Sequence, residues 1–132
     1  MTLSEYDRKQ LIKYRIEQAE ETIEEVDLLL ENNKLRAALS RIYYGIFYAV
    51  LALALKYDFK TSRHQKLIGW FNREFIHSGI IDLEYGKILR KAYQYRTEGD
   101  YEAIHNYTHK EVVELFDDMQ KFIARVKTYL NK

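Results

Sequence analysis

Ile42-Tyr43-Tyr44-Gly45-Ile46-Phe47-Tyr48-Ala49-Val50-Leu51-Ala52-Leu53-Ala54-Leu55 is the stretch on which the fold class turns, because it runs fourteen residues without a charge. A helix that crosses a bilayer needs about 20 such residues. This stretch is shorter and carries three tyrosines, so it reads as a helix from near Lys34 to about Tyr57, buried on most faces at the centre of a bundle. On its N-terminal side Ile12, Ile16, Ala19, Ile23, Val26 and Leu30 recur at steps of four and three, one stripe of a long helix packed at a shallow angle. Ser4 and Asp7 mark its start, Asn32-Asn33 its end. At the other end of the chain Val112, Phe116, Met119, Ile123, Val126 and Leu130 repeat the pattern, and Thr108 with Glu111 forms a capping box ahead of it.

Between these lie two further helices. Ser62 with Gln65 reads as a second capping box, opening a helix with His64, Ile68, Phe71 and Phe75 on its inner face and Gly79 at its left-handed end. Asp82 can cap a helix with Tyr85, Leu89, Ala92 and Arg96 along one side, ended by Gly99. No run alternates long enough for a strand. The expectation is an all-α protein, an up-and-down four-helix bundle with an additional short helix, forming a single domain over residues 1–132.

Composition narrows the chemistry. Cysteine is absent, which excludes disulfides, thiolate metal sites and a cysteine nucleophile. Net charge is +1 but uneven: residues 1–33 carry −5, residues 34–55 carry +3, residues 56–96 carry +5 and residues 97–132 carry −2. A basic middle attracts phosphate; alternatively the acidic first helix faces the basic third and fourth. The polar, acidic N-terminus is unlike a signal peptide, so a cytoplasmic protein without a membrane segment is expected.

Arg96 is the residue that asks for an explanation, because it continues an apolar stripe and so turns inward or into a cleft. A buried guanidinium needs a partner. Asp100 or Glu98 can serve as a structural brace; an external phosphate beside Tyr101 or His105 is the functional reading. Glu74-x-x-His77 and Glu102-x-x-His105 have the spacing of di-metal ligands in bundles, but chance pairs are expected in a chain this charged, and no metal or cofactor is assigned. Twelve tyrosines and two long stripes equally suit a non-catalytic dimerisation or interaction module.

Leu39-Ser40-Arg41-Ile42-Tyr43-Tyr44-Gly45-Ile46-Phe47-Tyr48-Ala49, then Ser62-Arg63-His64, then Arg96 through Tyr101, together resemble a HEPN domain over about residues 30–130. They are similar to the small prokaryotic members with a Ser-x-x-Tyr-Tyr-x-x-Phe pattern on the second helix and Arg-x-x-x-Asp-Tyr after the fourth. The resemblance implies a helical homodimer acting in a toxin–antitoxin-like module with a nucleotidyltransferase partner. It implies RNA or nucleotide as ligand, and in many members a metal-independent ribonuclease using Arg-x(4–6)-His. The histidine would help deprotonate a ribose hydroxyl and the arginine would stabilise charge on phosphorus. Here that window holds Tyr101, Glu102 and Ala103, and His105 lies beyond it. The implied site therefore comprises Arg96, Tyr101 and His105 as catalytic candidates, with Ser40, Tyr44, His64 and Asp100 lining it. Tyr101 is also a possible acceptor of a nucleotidyl group from such a partner.

Overall fold

Every other α-helix of the structure touches the one that contains the uncharged stretch. The structure, a computed structural model, describes residues 3–99 and 106–131. Its elements are α1 (Glu5–Glu31), α2 (Leu35–Lys56), α3 (His64–Phe71), a π turn continuing it (Asn72–Ile76), α4 (Leu83–Gly99) and α5 (His109–Leu130). The described residues contain no strand, so the protein is all-α as its sequence predicts. α2 packs against α1, α3, α4 and α5, while α1 and α4 each also meet α5. Leu35–Lys56 is long and apolar enough to cross a membrane. Here Ile42, Tyr43, Ile46, Ala49 and Leu53 are instead fully buried against the other helices. Burying one large aliphatic side chain contributes about 1.5–3 kcal/mol.

The ends of the long helices follow their punctuation. Ser4 Oγ accepts from the Asp7 amide, and Asn33 takes the left-handed conformation (φ 55°) after α1. Thr108 and Glu111 form the reciprocal capping box of α5. The α5 stripe from Val112 to Val126 is buried throughout, and Gly79 adopts φ 83° before α4. Gly45 lets α2 approach α1 and α5: a Cβ there would run into Met119 Cε and Thr22 Oγ1.

Three expectations are corrected. Ser62 does not cap α3; the helix begins at His64 after Arg63, and Thr61 Oγ1 accepts from the Arg63 amide at 3.1 Å. Tertiary contacts fix this start, because His64 is stacked on Phe47 and bonded to Tyr43. Nor is the run to Phe75 one α-helix: after Phe71 the chain widens into the π turn, where the His77 amide donates to the Asn72 carbonyl. Finally, acidic α1 packs chiefly on α2 and α5 rather than on the basic α3 and α4, and its ion pairs include Glu20–Lys127 and Glu25–Arg41. The sole tryptophan, Trp70 on α3, is 6% exposed and stacks on Phe59 with ring centres 5.0 Å apart.

Candidate functional site

The apolar register of α4 carries Tyr85, Leu89 and Ala92 into the core and delivers Arg96 one turn later, half-buried, against α2. Its Cζ lies 5.5 Å from the centre of the Tyr43 ring and 5.2 Å from that of Tyr44. Aromatic faces attract a guanidinium but leave its N–H groups without acceptors. Arg96 Nε is buried and has no hydrogen-bond partner among the described residues, an omission that ordinarily costs about 1–3 kcal/mol.

Tyr44 carries a second cation. Arg41, one turn earlier on α2, places its Cζ 5.7 Å from the same ring centre. Its Nε is likewise buried without a hydrogen bond among the described residues, though Glu25 Oε1 on α1 lies 3.5 Å away as an ion-pair partner.

His64 closes the cluster from α3. Its ring stacks on Phe47 at 4.1 Å and meets Tyr44 edge-on, and its Nδ1 is 2.8 Å from the Tyr43 hydroxyl. Tyr43 is fully buried. Burial, opposed by the nearby Arg96 charge, raises its pKa well above the usual phenol value, so it keeps its proton. Burial first, and Arg96 second, lower the pKa of His64 below its ordinary 6.5. Among the described residues the Tyr43 hydroxyl meets only His64 Nδ1. A buried O–H that donates nowhere is costly, so Tyr43 donates, Nδ1 accepts, and the neutral imidazole carries its hydrogen on Nε2. In that tautomer His64 presents a donor and not a base beside Arg96. Two donors over an aromatic floor suit an anion.

The structure thus brings together Arg96, Tyr44 and His64 of the sequence-derived set. Ser40 is half-buried one turn before Tyr44, lining a separate shallow hollow with Lys34, Leu35, Arg36 and Ala37. Asp100, Tyr101 and His105 lie outside the described residues, as does Glu102 of the second Glu-x-x-His pair. Glu74 and His77 of the first pair are both exposed. Tyr43 and Arg41 were not singled out from sequence. Just beyond the site, Glu98 accepts from the buried Tyr107 hydroxyl, and Tyr107 stacks on Tyr95 at 3.9 Å, tying the end of α4 to the approach of α5.

Comparison with known proteins adds the family context. The family described as HEPN domain matches residues 12–129. A UPF0332 protein of Thermotoga maritima is 31% identical over 121 residues, covering 92% of each chain. Two proteins of Methanocaldococcus jannaschii are similar. Putative toxin MJ0605 is 32% identical over 96% of this chain and 93% of its own, and Putative toxin MJ0142 is 31% identical over 98% and 88%.

Proposed function

The chain belongs to the HEPN domain family, and from that premise we propose that it is the toxin-like component of a two-component module, acting in the cytoplasm on RNA or nucleotide through a phosphate held by Arg96. The observation that carries this reading is the state of Arg96: stacked on two tyrosine rings, with a buried Nε that has no acceptor among the described residues. A phosphate oxygen supplies that acceptor with a charge-assisted bond. The names of the two M. jannaschii relatives support the toxin half of the reading. The nucleotidyltransferase partner and the homodimer follow from the family resemblance.

Strand cleavage requires a base, and His64 in the tautomer set by Tyr43 does not provide one. Any ribonuclease step would therefore draw its base from His105, with Tyr101 as a hydrogen-bond donor and Arg96 stabilising charge on phosphorus. Fluorescence anisotropy with a labelled single-stranded oligouridylate tests the binding claim. Arg96→Ala should weaken binding by about tenfold or more, while its melting curve shows the helices intact. Equal affinity for parent and variant would remove Arg96 from the site. Following the oligouridylate on gels in the same mixtures separates cleavage from binding.

A further inference from the structure

We propose that Arg41 is a second phosphate contact of this site, that the ligand therefore carries two neighbouring phosphates, and that Glu25 is the internal anion that occupies Arg41 until the ligand arrives. The inference rests on the reading of Arg96 as a phosphate-binding residue and extends it. Arg41 and Arg96 come from different helices yet stack on one ring, Tyr44, at 5.7 and 5.2 Å. Both have a buried Nε with no hydrogen-bond acceptor among the described residues. A structural ion pair of Arg41 with Glu25 would be expected to close a hydrogen bond at Nε. The carboxylate instead stands at 3.5 Å, with Glu25 53% and Arg41 33% exposed at the side chain. The pair is loose, wet and easily exchanged for another anion. Two guanidiniums against one rigid ring make a cradle for the repeating charges of a nucleic-acid strand, or for a diphosphate, and a lone phosphate engages it less fully.

The charges give the arrangement a sign. Glu25 neutralises one of two positive charges, so it competes with the second phosphate and with no other group of the ligand. Removing it should strengthen binding, the reverse of what loss of a structural brace would do.

The test uses the full chain with uridine monophosphate, uridine diphosphate, a phosphorylated uridine dinucleotide and the labelled oligouridylate. The parent should prefer each two-phosphate ligand to the monophosphate. Preference for the diphosphate over the dinucleotide points to a pyrophosphate group, and the converse to a strand; either supports the cradle. Arg41→Gln should abolish the preference, weaken the two-phosphate ligands more than the monophosphate and reduce the salt slope of oligouridylate binding by about 0.7, one phosphate contact on a single strand. Glu25→Gln should tighten two-phosphate ligands by about threefold, and Arg41→Gln should cancel that gain. If Arg96→Ala weakens binding but neither Arg41→Gln nor Glu25→Gln alters it, the second contact is wrong and the phosphate reading stands. If Arg96→Ala has no effect, the phosphate reading itself fails.

Discussion

Protonating His64 would put a second positive charge beside Arg96 and remove the acceptor that Tyr43 uses. The folded chain holds that proton less tightly than the unfolded chain, whose histidine titrates near 6.5. Below that pH the unfolded state binds more protons, so stability falls as pH drops from about 6.5 through the lowered folded value. Above it the group contributes no slope. Melting temperatures across this range should decline more steeply for the parent than for His64→Gln; parallel curves would show that the ring is not held neutral. Arg96 was legible in sequence because a charge on an apolar stripe is a local anomaly. Tyr43 was not, since in a helix apolar on every side no position stands out, and period reveals a face but not the residue opposite. Tyr43, Tyr44 and Phe47 at helical spacing, with a histidine opening the next helix, were the usable signal.

Helix α2 meets its neighbours at a glycine where a methyl group would strike two helices at once. Alanine favours helix over glycine by about 1 kcal/mol, but overpacking a closed core costs about 1–3 kcal/mol. Gly45→Ala should therefore be net destabilising, because Met119 and Thr22 must both move. Gly69 on α3 is exposed, and a Cβ there would meet nothing within 4 Å. Gly69→Ala should stabilise by about 0.4–1 kcal/mol, and urea denaturation of the two variants should move in opposite directions. Thr108→Ala, which removes the α5 capping box, should cost about 1 kcal/mol by the same measurement. Helix ends set by their own side chains, such as Ser4 and Thr108, could be read in advance. The start of α3 could not, because Phe47 and Tyr43 fix His64 from another helix, and the π turn leaves no mark in the spacing of Phe71 and Phe75.

At the scale of the molecule, α2 touches all the other helices. Losing it would expose the inner faces of α1, α3, α4 and α5 together. We propose accordingly that the chain unfolds as one domain, and calorimetry should give one transition whose van't Hoff and calorimetric enthalpies agree; two resolved peaks would refute this. The all-α class was legible because the uncharged stretch and the two long stripes each admit one reading. The placement of charge was not, since acidic α1 meets Arg41 and Lys127 through packing that segment totals do not encode. One feature of α3 makes the chemistry separable from the architecture: His64 opens this helix, and Trp70 follows on the same two turns, shielded by Phe59 and Phe75. The indole is thus a built-in optical gauge of whether α3 remains seated. A variant at the site that keeps the parent's emission maximum has lost only a functional group, whereas a shift to longer wavelength shows that the helix has come away from its bed.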